Sequence, residues 1–410
     1  MAEELDVPET KVLAIASHVA YGYVGNTMAS FIMQSLGCEV TAINTVQYSN
    51  HSGYRQVKGR KTTAEEILQL YEGLKQSYLT DFDVLLSGYT PSAEAVEAVG
   101  KIGRELRFKS TTKPGSFFWV LDPVMGDDGR LYIPEDEVPA YKSLLREADL
   151  ILPNQFEAEL LSGTKITDVQ SLATAIRVLH TIYRIPHIII TSIRLHPLTG
   201  RTLPSTTDTP ELGPGEQETM TCIGSSATSS FHPRLFRIDI PAIPVFFSGT
   251  GDMFAALTVA RLRAEAASAH VDNNSGWTSP DDVASTDLPL AKAVEKVLAS
   301  MQAVLVKTYE AMQEELKGLE NAVQGLGKGE EDREAVEKRR RLLRTKAAEV
   351  RVVRNVGLLK KAPEEWSEKF RAKEVELENG TPTENGRKPD ELGVTKLGGD
   401  GEGAIHIETA

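Results

Sequence analysis

Short apolar runs, each closing on a polar or glycine-bearing stretch, recur along the first half of the chain. VLAIAS (residues 12–17) is rich in residues suited to a buried strand and breaks at His18 into a segment with Gly22 and Gly25. Helical spacing follows, so the reading is strand, loop, helix. The same order returns at EVTAIN (39–44), DVLLSG (83–88), FFWVLDPV (117–124), DLILPN (149–154) and HIIITS (187–192), with amphipathic stretches over 63–76, 92–106 and 169–183. Strands alternating with helices of this length predict parallel pairing through right-handed crossovers, in a sheet covered on both faces. The fold class is α/β.

In such sheets ligands bind beyond the carboxyl ends of the strands. Polar residues gather at those ends: Ser17, His18, Tyr89, Asp122, Asn154 with Glu157, and Thr191. VQYSNHSGYRQVKGR (46–60) fits no helix and reads as a pair of short strands or a flap over that edge. Residues 195–233, rich in Ser, Thr, Gly and Pro, read as a long surface excursion with a hairpin strand near 218–223. Residues 314–348 are strongly charged and read as an exposed helix or helical hairpin. Its RRR cluster offers a contact for an acidic partner, against the plainer reading of a solvated face with interleaved signs.

A chain of 410 residues, 41% of them hydrophobic, can bury one large core or two smaller ones. No run of 18 apolar residues occurs and the start is acidic, without an apolar signal core. The expectation is a cytoplasmic protein, with the nucleus also open to it, that avoids membranes. Cys38 and Cys222 are too few for a disulfide framework or a cysteine zinc site. The net charge of −13 argues against a nucleic-acid binder. Residues 374–410 carry nine acidic against three basic residues and lack helical periodicity, so they are expected to form an acidic, disordered tail. Residues 1–10 are expected to be an N-terminal extension and 11–373 a single catalytic domain.

Two glycines and a carboxylate share one helix start in FFSGTGDMFAA (246–256). Asp252 would serve as a plain cap. That role needs no flanking glycines. Gly249, Thr250 and Gly251 let several amides converge on one point, as an incoming phosphate requires. The pairing points to a proton acceptor beside a transferring phosphoryl group. P-loop spacing is absent, since Gly327-Lys328 is followed by Gly329 and Gly100-Lys101 by Ile102. Gly22 and Gly25 do not form a dinucleotide fingerprint.

SHVAYGYVGN (17–26), SNHSGY (49–54), SGYT (87–90), DPVMGD (122–127), PNQFEAELLSG (153–163), ITS (190–192) and GTGD (249–252) occur in an order and spacing that resembles the pyridoxal kinases of the ribokinase-like superfamily. GTGD alone marks only that superfamily; the first and fifth motifs are more specific. The resemblance covers about residues 11–312 without 195–233, and resumes at EVRVVRN (349–355), which looks like the family's final strand. It implies a mostly parallel central sheet with helices on both faces and a small β flap over the active site.

The resemblance further implies ATP-dependent phosphorylation of the 5'-hydroxymethyl group of pyridoxal, pyridoxine and pyridoxamine. Asp252 would be the general base and the amides of Gly249, Thr250 and Gly251 the anion hole. Asp122 and Glu157 are hard oxygen ligands suited to Mg²⁺, with Asp127, Asn154, Thr191 and Ser192 completing the ATP site. Ser17, Ser52 and Tyr89 would bind the rim of the pyridine, with Val24, Val46 and Tyr48 as apolar walls. His18 and His51 read as structural rather than catalytic. The family's monovalent cation, K⁺, is implied near Thr191. Leu152 stands where a threonine is expected there, so a backbone carbonyl would have to substitute. Relatives are commonly homodimers. The alternatives are a hydroxymethylpyrimidine-type kinase on the same fold, or a catalytically weak vitamer-binding scaffold or regulator acting through 314–348.

Overall fold

A computed structural model describes residues 7–193, 219–323 and 330–375, apart from the side chains of Lys109, 319–323 and 330–333. In chain order the elements are β1 (Lys11–Val19), α1 (Gly25–Ser35), β2 (Glu39–Tyr48), β3 (Gly59–Lys61), α2 (Ala64–Gln76), β4 (Val84–Ser87), α3 (Ala93–Lys109) and β5 (Phe118–Leu121). The hairpin β6 (Gly126–Asp127) and β7 (Arg130–Leu131), α4 (Glu137–Leu144), β8 (Leu150–Ile151), α5 (Gln155–Ser162), α6 (Val169–Tyr183) and β9 (His187–Ile193) follow. Next come β10 (Thr219–Ala227), β11 (Pro233–Pro241), α7 (Thr250–Ser268), α8 (Pro289–Val323), α9 (Glu330–Ala347), α10 (Val356–Lys360), α11 (Glu364–Lys369) and β12 (Lys373–Glu374).

The main sheet has the order β12-β11-β10-β9-β8-β5-β4-β1-β2-β3. Its six central strands, β9 to β2 in that order, are parallel, and antiparallel strands extend both edges. Alternation along β1 shows why the run looks continuously apolar. Val12 and Ala14 face a core shared with α1, α7 and α8, while Leu13 and Ile15 face one built with α2 to α6. A strand covered on both sides has no solvent face to carry polar residues.

Side-chain caps set the starts of α2, α3, α5 and α6. Thr63 and Glu66 form a reciprocal capping box on α2, and Asp168 caps α6. Helix α7 is apolar almost all round because it lies between α1 and α8.

Four departures from the sequence reading have physical reasons. The excursion expected over 195–233 falls outside the described residues as far as 218. From Thr219 onward, β10 is a largely buried strand with a full partner on one side in β11 and contacts to β9 on the other. The hairpin strand expected near 218–223 is thus present, but in the sheet rather than on a surface excursion: Ser225 and Ser226 are buried, and their hydroxyls meet the rings of His180 and His187 at 2.8 and 2.7 Å. The segment 349–355, expected as a final strand, is instead a turn leading into α10, and β12 takes the edge beside β11. The N-terminal extension is anchored at its described end, since Val7 and Thr10 are buried. The charged stretch 314–348 is no separate insertion at its start, because α8 runs unbroken through Val323; α9 then packs back against it. Of the acidic tail, residues 376–410 lie outside the described residues.

Candidate active site

The order in which strands are added reverses between β1 and β4: β1 leads to β2 on one side, while β4, β5, β8 and β9 spread to the other. A crevice opens at the carboxyl ends of strands around such a switch point. Ser17 on β1, Val46 and Tyr48 on β2, and Tyr89 just after β4 come to one side of it. Asp122 after β5, Asn154 after β8 and Thr191 on β9 come to the other.

Ser17 occupies an irregularity in the β1–β2 register, which shifts between Ala16 and His18. A bulge re-aims a side chain out of the ladder. Tyr89 and Tyr48 lie close enough for their hydroxyls to interact, and burial with that neighbour pushes the Tyr89 hydroxyl up to about 12. Tyr89 therefore remains a protonated donor at neutral pH. Ser52 is exposed on a single 3-10 turn, Ser52–Tyr54, between β2 and β3. Val24 is nearly buried and Val46 wholly so, which makes Val46 a support of the strand rather than an accessible wall.

Asp252 stands in the first turn of α7, but it is not the cap of its own helix. The N-cap is Gly249, with φ 82°, and no side chain caps α7. The Asp252 carboxylate instead accepts from the Gly25 amide at the start of α1, a helix that also lacks a side-chain cap. Burial dominates and raises its pKa from 3.8 to about 6. Backbone crowding explains two glycines. A Cβ on Gly25 would sit 2.1 Å from the Ser17 carbonyl oxygen, and one on Gly249 would sit 2.2 Å from that of Tyr23. Around Gly251 the space is open. Gly249 thus lets the turn close against the β1–α1 loop, while Gly251 leaves room for a ligand.

The acidic centre is crowded and short of positive charge. Asp122 is pushed well above the usual carboxylate range by burial, then by Glu157 and Asp252. Burial raises Glu157 to about 7 against the pull of three backbone amides. Glu157 Oε1 accepts from Met125 and Gly126 at 2.8 and 3.3 Å, and Oε2 accepts from the Asn154 amide at 2.9 Å. Asn154 Oδ1 accepts in return from Glu157, and its Nδ2 donates to the Gly126 carbonyl at 2.7 Å. Asn154 and Glu157 therefore form a capping box that also ties β6 to α5. Asn154→Ala is expected to cost about 1–2 kcal/mol of stability, measured by denaturant unfolding, through loss of the cap.

A cavity of about 1010 Å³ opens beside Thr250 and Gly251. Asp127, Thr191 and Ser192 line it too, so five of the expected nucleotide residues share one space. Its far wall went unrecognised in the sequence: Met220, Ile240, Phe246, Leu298, Met301 and Leu305 give it an apolar face, with Gln302 among them. On α8 the three- and four-residue spacing of Leu298, Met301, Gln302 and Leu305 signals only an amphipathic helix. Among the described residues no group of three or more His, Cys, Asp or Glu is arranged to hold a metal ion. The buried carboxylates Asp122 and Glu157, raised by burial and by mutual or neighbouring charge, are the hard donors that suit a divalent cation. Leu152 is buried in the core and offers no side-chain oxygen.

An anion-ready helix terminus, a carboxylate beside it and a cavity with polar and apolar walls define an α/β small-molecule kinase, a phosphotransferase with an alcohol acceptor. A family profile described as phosphomethylpyrimidine kinase matches residues 36–222. The pyridoxal kinase of Homo sapiens is 38% identical over 261 residues, covering 62% of this chain and 77% of its own. That of Arabidopsis thaliana is 33% identical over 304 residues, covering 73% and 82%. The solved pyridoxal kinase from Leishmania donovani in complex with ADP and pyridoxamine superposes with a TM-score of 0.64 at 29% identity, covering 89% of this chain and 98% of that one. This chain belongs to the pyridoxal kinase family.

Proposed function

We propose that this chain transfers the γ-phosphoryl group of ATP to the 5'-hydroxymethyl group of pyridoxal, pyridoxine or pyridoxamine. The observation that carries the reading is the placement of Asp252. Its carboxylate is fixed by the Gly25 amide at the uncapped start of α7, beside the cavity that Thr250 and Gly251 line.

Ser17, Ser52 and Tyr89 hold the rim of the vitamer, so that its hydroxymethyl group faces Asp252. Asp252 accepts the proton of that group as the oxygen attacks phosphorus, and its main service is position within hydrogen-bond reach. The amides at Gly249 to Gly251 receive the charge spread over the equatorial oxygens, each worth about 3–4 kcal/mol of barrier. Asp127, Thr191 and Ser192 hold the polyphosphate, while the apolar wall with Met301 and Leu305 accepts the base. Asp122 and Glu157 would hold Mg²⁺, with Asn154 as a neutral companion. When bound, Mg²⁺ neutralises phosphate charge. K⁺ near Thr191, a homodimeric state and a cytoplasmic location belong to the same reading. No helix among the described residues is long and apolar enough to cross a membrane.

Purified protein with ATP, Mg²⁺ and pyridoxal should form the aldehyde phosphate, followed by its absorbance, with K⁺ present and absent in parallel. Asp252 must be ionised to accept a proton, so kcat/KM should fall on the acid side of about pH 6, approaching tenfold per unit. A profile flat down to pH 4.5 would remove Asp252 from the role of base. The match to the phosphomethylpyrimidine kinase profile favours one further reading, a hydroxymethylpyrimidine as acceptor. Competition between that pyrimidine and the three vitamers separates the two.

A further inference from the structure

We infer that Glu349 is the positioning residue of the vitamer-binding turn, a latch through which the α8–α9 hairpin holds Ser52 in place. The inference rests on the kinase reading above and adds to it a residue from far along the chain. The turn from 49 to 58 is closed at its neck by bonds between Ser49 and Lys58 and from the Asn50 side-chain amide to the Gln56 carbonyl, but its tip has little regular structure. Its only regular element is the three-residue 3-10 turn, which has no side-chain cap and ends on Arg55 at φ 55°. Ser52 sits exposed in its middle.

Glu349 follows α9 directly, and its carboxylate reaches this turn from almost 300 residues away. Oε1 accepts from the Tyr54 hydroxyl at 2.8 Å and pairs with His51 Nε2 at 3.0 Å. The two residues flank Ser52 and Gly53, and their rings lean together with centroids 4.8 Å apart. The pair is sheltered, with His51 8% and Glu349 14% exposed. Charge-assisted bonds in such a setting are short and directional, and losing the acceptor leaves two sheltered donors without a partner.

The other carboxylate oxygen lies against the β1–α1 loop. A Cβ on Gly22, where φ is 97°, would approach Oε2 to 2.6 Å. Glu349 therefore wedges between the two segments that carry the vitamer residues, 17–24 and 46–54. Helix α9 also packs on the Ser52–Tyr54 turn. With Nε2 paired to Glu349, Nδ1 is the remaining ring nitrogen of His51, and that buried atom has no partner among the described residues. A Cβ on Gly53 would lie 2.9 Å from His51 Nδ1 and 3.3 Å from the hydroxyl oxygen of Ser248, the residue before Gly249, so the latched turn packs against the phosphate end of the site.

The test compares Glu349→Ala, Glu349→Gln and Tyr54→Phe in the full chain. Glu349→Ala should raise the KM for pyridoxal by about tenfold while the KM for ATP stays within about twofold, since a small misplacement of a binding group is costly. Glu349→Gln, which keeps one acceptor, should recover most of that loss. Tyr54→Phe alone should raise the pyridoxal KM by about two- to threefold, and its effect should vanish in the Glu349→Ala background because both act through one bond. Amide hydrogen exchange over 51–55 in the unliganded protein should rise in Glu349→Ala.

A pyridoxal KM within twofold of the parent protein, or KM values for both substrates rising together with a lowered melting point, overturns the latch. Exchange that is unchanged over 51–55 overturns it as well, whatever the kinetics. Tyr54→Phe removes no charge and covers the case in which the alanine variant fails to fold. Failure of the underlying kinase reading looks different: the unmodified protein would then phosphorylate no vitamer, while the exchange result would still decide whether Glu349 orders the turn.

Discussion

Asp252→Asn is expected to lower kcat by about 10²- to 10⁴-fold and leave a protein that is folded and no less stable than its parent. Asparagine keeps the shape and can still accept from the Gly25 amide, but it cannot take the proton of an alcohol. The stability forecast follows from the sign of the shift. The carboxyl pKa is raised on folding, from 3.8 to about 6, so the native state binds the proton more tightly than the unfolded chain does. That preference favours folding at low pH and is lost as pH rises through about 6. At pH 8 the ionised group therefore costs stability, of the order of 1–3 kcal/mol at 1.36 kcal/mol per unit after allowing for its partial exposure. A neutral side chain escapes that cost. Steady-state kinetics and thermal unfolding in one buffer check both parts; turnover within threefold of the parent would exclude Asp252 as the base.

Gly249→Ala and Gly251→Ala should separate, although two residues apart. At Gly249 the positive φ and a Cβ only 2.2 Å from the Tyr23 carbonyl oxygen leave no place for alanine. The expected result is a loss of more than about 2 kcal/mol of stability, together with at least about 10²-fold in kcat as the amides turn away. At Gly251 nothing lies within 4 Å of the added carbon, and alanine is the better helix former by about 1 kcal/mol. Folding should be unharmed or improved. Activity should still drop by about tenfold or more, because the methyl group enters the space beside the cavity. Equal effects of the two substitutions on unfolding would contradict the different roles assigned to them.

Much of the fold was legible because a two-faced parallel sheet writes itself as short unbroken apolar runs. VLAIAS, DVLLSG and FFWVL all became strands, and the polar residues that ended them became the rim of the crevice. A hairpin strand near 218–223 was legible, but its burial in the main sheet was not, because its serines and threonines look like surface residues until the histidines that bond them are in place. Residues 349–355 resemble the family's final strand, yet Val350 and Val352 are buried in a turn against the α7–α8 core. Glu157 was recognisable as a chemically useful carboxylate, but its bonds to Met125 and Gly126 depend on a hairpin that begins 31 residues earlier.

By itself the sequence determined the alternation of strands and helices, the glycine-flanked Asp252 and the family membership, since each of these is written in neighbouring residues. Tertiary structure alone decided that Asp252 bonds the start of α1 rather than capping α7, that the apolar wall of α8 faces the cavity, and that Glu349 reaches His51 and Tyr54. Local pattern records which groups want burial or a partner. Only the folded chain, by bringing distant backbone and side chains within about 3 Å, settles which partner each one finds.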